Sequence, residues 1–228
     1  MKRNQDEVEL CPATTKLPYA PSDVIAALGP LVTEERLARF RDILGRRLRS
    51  IVPVLDGLSD PHNGAAILRS ADAFGCHEVH VVEGRLPFAI SHRISRGTQR
   101  WLSLIDHKTG DACCDVLEAQ GYEIYVAAME GTVTPEDLAQ VPKVAIVFGN
   151  EHRGVSDEIR ARAKGVFRIP MVGFVESLNV SVASAITLYT ASQGRHGDLT
   201  PEDQEQALAR FLLSQVRDAD RIVRDHVG

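Results

Sequence analysis

The sequence predicts an α/β fold, a mostly parallel sheet with helices on both faces, and three observations predict it. Short β-branched runs alternate with stretches of helical period from residue 51 to residue 189. One of those runs, Lys143 to Phe148 (KVAIVF), is apolar almost throughout, as a central parallel strand covered on both sides must be. A glycine-framed loop, Gly149 to Ser156 (GNEHRGVS), follows it directly, and the ligand site of such a sheet lies beyond the carboxyl ends of its strands.

The chain has 228 residues, 44% hydrophobic and 25% charged, enough for one good core plus appendages. Its net charge of −5 offers no overall electrostatic attraction to nucleic acid, so any such attraction must be local. No window approaches the ~18 consecutive apolar residues of a membrane span, and the start, MKRNQDEVEL, lacks a signal peptide's apolar segment. This reading places the protein in the cytoplasm, away from membranes. Cys11, Cys76, Cys113 and Cys114 show neither metal-ligand spacing nor a disulfide framework, and read as small buried hydrophobes in a reducing compartment.

In chain order, Met1 to about Pro21 is polar and without period, and reads as a mobile arm. From Ser22 to Leu48, Val24, Ile25, Leu28, Leu37, Phe40, Ile43 and Leu44 recur at helical spacing. Arg39, Arg41, Arg46, Arg47 and Arg49 lie among or just after them. Such a run is ordinarily a solvated face, but Arg suits phosphate, and these five read as candidate RNA contacts. Ile51 to Asp56 (IVPVLD) is a strand in which Pro53 is tolerable at a sheet edge or a bulge. Asp60 and Pro61 start a helix that buries Ile67, Leu68, Ala71 and Phe74 and stops at Gly75. Arg69 lies about 200° around from Ile67, away from the core. It is placed to pair with Asp72 at i,i+3, or to act on a substrate; Asn63 is likewise a turn residue or a site residue.

Glu78 to Val82 is a strand, and Ser91 to Arg100 is a polar segment whose Arg93 and Arg96 join the RNA candidates. Trp101 to Ile105, Tyr122 to Ala127 and Lys143 to Phe148 are strands; Asp111 to Gln120 is a helix, and Thr134 caps a helical turn to Leu138. The 149–156 loop is no P-loop, since no Lys followed by Ser or Thr comes after Gly154, and G-x-G-x-x-G is absent. That disfavours a dinucleotide cofactor and the glycine-rich S-adenosylmethionine fold. Phe167 to Pro170 reads as a strand, followed by a polar knuckle at Glu176, Ser177 and Asn179. A helix then carries Ser181, Ala183, Ser184 and Ala185 where a core helix normally carries Leu or Ile. Ser177 or Asn179 could simply cap it. Thr200 and Pro201 start a final helical segment carrying Leu208, Phe211, Leu212 and Val216.

Three of these stretches, NGAAILRSADAFG, VFGNEHRGV and IPMVGFVESLNVSVASA, resemble the three motifs of the SPOUT-class RNA 2′-O-ribose methyltransferases, specifically the TrmH branch, in the right order and at the right separations. The resemblance covers about Ile51 to Tyr189. It implies a deep trefoil knot in the C-terminal third, a homodimer, S-adenosylmethionine held in the knot, RNA as methyl acceptor and no metal. It implies Arg69 as the catalytic residue at the substrate ribose, with Asn63 contacting RNA or supporting Arg69 across the dimer. Glu151, Ser177 and Asn179 then hold the ribose or the methionine end of the cofactor. Phe148, Gly149, Asn150, Gly154, Ile169, Met171, Ser177 and Leu178 form the cofactor pocket, with backbone groups near Phe148, Gly149, Ile169, Met171 and Leu178 cradling the adenosine and apolar side chains sandwiching its flat ring.

The implied organisation is an arm (1–21), an N-terminal helical RNA-binding extension (22–50), the methyltransferase domain (51–195) and a C-terminal helical extension (196–228). No globular RNA-binding domain stands ahead of Ile51, which favours the transfer-RNA branch and the D-loop guanosine at position 18. Ribosomal RNA methylation and a non-catalytic RNA-binding homodimer are the competing readings.

Overall fold

A computed structural model describes residues 17–83 and 101–228. Most of the expected arm, and Arg93 and Arg96, lie outside the described residues. Six strands form one sheet in the order β3-β2-β1-β5-β4-β6, every neighbouring pair parallel. They are β1 Ile51–Asp56, β2 Glu78–Val82, β3 Ser103–His107, β4 Glu123–Ala127, β5 Val144–Gly149 and β6 Gly165–Phe167. The apolar run expected to be central is so: β5 lies between β1 and β4.

Pro53 does not mark an edge. β1 pairs with β5 along its whole length and with β2 on the other side. The ladder to β2 comprises only Val54, Leu55 and Asp56, so the missing N–H of Pro53 falls before that ladder begins.

Both faces are covered. Ile51, Leu55, Val144, Ile146 and Phe148 point into a core closed by α3 (Pro61–Ala73), α5 (Pro135–Ala139) and α7 (Val180–Ser192). Val52, Val54, Ala145 and Val147 alternate to the other side, where α4 (Gly110–Ala119) and α6 (Asp157–Arg162) supply Cys113, Cys114, Leu117 and Ile159. Helix starts follow the expected chemistry: the side chains of Asp60, Thr109 and Thr134 each accept from a backbone N–H of the first turn, Thr134 within a full capping box.

The two terminal segments share a third core. Residues 22–50 divide into α1 (Pro21–Leu28), a 3-10 turn Gly29–Leu31 and α2 (Glu34–Leu44), which pack with α8 (Pro201–Gln215) and α9 (Ala219–Val227) through Val24, Leu28, Phe40, Leu44, Leu208, Phe211, Leu212 and Val223. Trp101 is no strand residue. Its ring stands edge-on to Phe211, with centroids 5.1 Å apart, and β3 starts two residues later.

The arginines read together as RNA contacts are not equivalent. Arg47 is buried, at 2% exposure. Its guanidinium donates to the carbonyls of Cys76 (2.7 Å) and Trp101 (3.1 Å) and pairs with Asp72, the carboxylate that the sequence offered to Arg69. A contact with RNA is therefore excluded for Arg47. Arg49 pairs with Asp203 on α8, and Arg46 pairs with Asp42 at 2.6 Å. Arg39 and Arg41 are exposed, with no ion pair among the described residues. No helix among the described residues is long and apolar enough to cross a membrane.

Candidate active site

The carboxyl ends of β4 and β5 open into a cavity of about 630 Å³. Every residue expected to form the cofactor pocket lines it: Phe148, Gly149, Asn150, Gly154, Ile169, Met171, Ser177 and Leu178. The 149–156 loop is folded back on itself. Asn150 and Gly154 exchange backbone hydrogen bonds of 2.9 and 2.8 Å, and Gly154 turns the chain at φ 73°. A Cβ on Gly149 would lie 2.2 Å from the Gly154 carbonyl carbon, so only glycine allows this closure.

Two of the expected pocket residues have their side chains engaged elsewhere. Phe148 is 1% exposed and stands edge-on to Phe167 in the core, so it offers the cavity its backbone and not a ring face. The Asn150 side chain is occupied by the loop itself: Nδ2 donates to the Gly57 carbonyl (2.8 Å), and Oδ1 accepts from the backbone of His152 and Arg153. Ile169, Met171 and Leu178 remain as partly exposed apolar walls.

At the mouth of the cavity one chain of hydrogen bonds joins all three sequence stretches. Asn179 caps α7, its Oδ1 accepting from the Ser181 N–H at 2.8 Å. With that oxygen engaged, Asn179 Nδ2 donates to Asn63 Oδ1 (3.1 Å), and Asn63 Nδ2 donates to Glu151 Oε1 (2.8 Å). The Ser59 hydroxyl and N–H donate to Glu151 Oε2, at 2.9 and 3.3 Å. Each amide thus has one orientation, set by a carboxylate at one end and a helix cap at the other. Asn63, 8% exposed, supports Glu151 within its own chain. Asn179 therefore caps the helix and, with its other amide atom, joins the cluster at the cavity mouth.

Partial burial pulls the Glu151 carboxyl upward, but hydrogen bonds from the Asn63 side chain, its own backbone and Ser59 outweigh this and hold it down at about 2. Glu151 is therefore an ionised acceptor across the physiological range and cannot serve as a general acid. Its hydrogen bonds contribute stability that is full above the ordinary value of 4.5 and is lost as pH falls towards about 2. Glu151→Gln should lose less of its thermal midpoint than the parent between about pH 5 and about pH 3, measured by circular dichroism. Equal losses in the two proteins would contradict this coupling.

Ser177 is exposed on the cavity wall. Arg69 is exposed on α3, six residues beyond Asn63 and so about 9 Å further along the helix axis, and is not among the residues lining the cavity. Sequence reasoning missed Ser59, whose only signal is proximity to Asp60-Pro61, and Ala127 to Glu130, which the strand-end rule could have found at the end of β4. It also missed Arg153 and Arg168, which line the cavity with exposed side chains and have no ion pair among the described residues.

The SpoU rRNA Methylase family model matches residues 50–189. A Thermus thermophilus protein named tRNA (guanosine(18)-2′-O)-methyltransferase is 34% identical over 188 residues, 79% of this chain and 97% of that one. The crystal structure of an A. aeolicus TrmH/SpoU tRNA modifying enzyme superposes with a TM-score of 0.73 at 28% identity, covering 81% of this chain and 98% of its own. An AdoMet-bound rRNA methyltransferase from Sinorhizobium meliloti superposes with a TM-score of 0.57 at 28% identity, covering 67% and 59%.

Proposed function

Because the chain belongs to the SpoU rRNA Methylase family, we propose that it transfers the methyl group of S-adenosylmethionine to a ribose 2′-hydroxyl of tRNA, that of the D-loop guanosine at position 18. The observation that carries this reading is the hydrogen-bond chain Asn179–Asn63–Glu151–Ser59 at the mouth of the cavity, which brings the three stretches to one point. The tRNA assignment is supported by relatives of that name matched over nearly their full length. The tRNA-modifying enzyme also covers more of this chain than the ribosomal enzyme does.

The residues present suit the cofactor. Ile169, Met171 and Leu178 offer apolar surface for an adenine ring, and the 149–154 loop, whose closure Gly149 permits, lines the cavity with backbone polar groups. The bound cofactor supplies a methyl group made electrophilic by its sulfonium. The chain's own residues hold the acceptor in line and manage the charge that develops as the hydroxyl loses its proton. Glu151, fixed by Asn63 and Ser59, accepts hydrogen bonds from ribose hydroxyls; Ser177 and Asn179 complete that wall. Arg69 orients the ribose and its phosphate and stabilises the developing alkoxide, since a guanidinium is a poor base unless the substrate phosphate assists. Arg153 and Arg168 extend the positive rim toward the RNA backbone.

The active form is a homodimer in the cytoplasm. Val182, Ile186 and Tyr189 form an exposed apolar stripe on α7, and Phe174 and Val172 stand fully exposed in the segment before it. The segment joins β6 at the sheet edge to α7, which packs on β1 and β5, and in this reading it is the threaded part of a trefoil knot. The terminal helices, residues 22–50 and 196–228, flank the tRNA and present Arg39, Arg41 and the outer side of Arg46 to it, with Arg49 held at their junction. Light scattering should give twice the chain mass, and Ile186→Glu should give the single mass; a monomeric parent would remove the dimer.

Purified protein incubated with labelled S-adenosylmethionine and unmodified tRNA transcripts should place label on the position-18 ribose. Label on ribosomal RNA alone would move the substrate; no label and no cofactor binding would leave an RNA-binding protein.

A further inference from the structure

On the sheet face away from α3 and α7, three donors of different elements converge. His80 of β2, His107 at the end of β3 and Cys113 of α4 are all buried, and their ligand atoms lie within 4.8 Å of one another. We propose that His80 Nδ1, His107 Nε2 and Cys113 Sγ hold one Zn²⁺ ion that ties β2, β3 and α4 together.

The distances are close to what the ion needs. His107 Nε2 lies 2.8 Å from His80 Nδ1, and Cys113 Sγ lies 3.9 Å from the same nitrogen. Tetrahedral zinc with Zn–N near 2.05 Å and Zn–S near 2.3 Å spaces its ligands about 3.3 Å (N to N) and about 3.6 Å (N to S). Opening the histidines by about half an ångström and closing the sulfur on His80 by about 0.3 Å brings these two pairs to those spacings, and the third pair, His107 and Cys113, lies within 4.8 Å. The tautomer is already set. Glu78 shares the face of His80 at i,i+2, and His80 Nε2 lies 2.9 Å from Glu78 Oε1, which leaves Nδ1 as the lone pair facing His107 and Cys113. A carboxylate behind a ligating histidine is the arrangement that orients and strengthens such ligands.

Charge favours a divalent ion. The Glu78 carboxylate and a Cys113 thiolate sum to −2, which one Zn²⁺ neutralises, and the thiolate with two imidazoles suits zinc better than magnesium or calcium. Without the ion, His107 donates to His80, and burial keeps Cys113 a thiol. On binding, the thiol proton leaves to solvent and the His107 ring proton moves to Nδ1, so one proton is released per ion. Chain spacing concealed the site because its ligands come from three elements, 27 and 33 residues away from His80. The inference does not depend on the proposed methyl transfer.

The test is titration of chelator-treated full-length protein with Co²⁺ as the probe. The expected result is one ion per chain, with a thiolate-to-cobalt charge-transfer band that Zn²⁺ abolishes by displacement. Cys113→Ser should lose that band, Cys114→Ser should keep it, and Glu78→Gln should weaken binding about 10-fold or more. Should the Cys113 or Glu78 variants fail to fold, the parent alone decides: its thermal midpoint should rise with stoichiometric Zn²⁺ and fall with chelator. Absence of stoichiometric binding, or a band that survives Cys113→Ser, would overturn the site and leave a hydrogen-bonded histidine pair.

Discussion

Arg69→Ala is expected to lower methyl transfer at least about 1,000-fold in kcat while leaving S-adenosylmethionine binding unchanged and tRNA affinity within a few-fold. Arg69 is exposed on α3, about one and two-thirds turns beyond Asn63, and outside the cavity that contains Glu151 of the same chain. A residue so placed meets the reacting ribose only when the substrate or a second subunit brings the two together. Its loss should therefore appear in the chemical step and not in the pocket. Arg69→Lys should rescue little, because a single ammonium cannot reproduce the planar fork that grips ribose and phosphate together. Most turnover surviving in Arg69→Lys, with RNA binding intact, would remove the guanidinium role. Mixed dimers locate the residue further. If Arg69 serves the partner's site, equal mixing of Arg69→Ala and Glu151→Ala chains makes half the dimers mixed, each with one intact site, restoring about a quarter of parental activity. If it serves its own chain, mixing restores nothing.

Arg47→Ala is expected to cost about 3 kcal/mol of stability, read as a lower urea midpoint at unchanged slope. The substitution leaves the carbonyls of Cys76 and Trp101 without their donor and strands Asp72, whose side chain is 30% exposed, in front of a cavity. It also unfastens the end of α2 from α3, the helix that carries Asn63 and Arg69, so activity should fall with temperature before it falls at the optimum. Arg39→Ala and Arg41→Ala provide the contrast. Each should keep stability within about 0.5 kcal/mol. Each should also weaken tRNA binding and reduce its salt slope by about 1. An Arg47→Ala protein as stable as its parent but weaker in RNA binding would show the clamp to be wrong.

These two arginines mark how far residue patterns reach. Periodicity reports whether a position faces a core, which is a local property of the backbone. It therefore placed every strand among the described residues to within a few residues, put KVAIVF at the middle of the sheet, and turned Arg69 outward. Pro53 and Trp101 are where it failed. A strand's neighbours are set by the rest of the chain, and an aromatic residue can be claimed by a core assembled from both termini.

By itself, the sequence determined the parallel α/β architecture, the three stretches that meet at the candidate site and the loop where a ligand would sit, because alternation, caps and glycines act over a few residues. Only the tertiary structure decided which polar atoms are joined. Asn63 reaches Glu151 across 88 residues, Arg47 takes Asp72 across 25, and His80, His107 and Cys113 meet from three elements. Such pairings are chosen among chemically equal candidates by strand order and helix packing, which only the folded chain specifies.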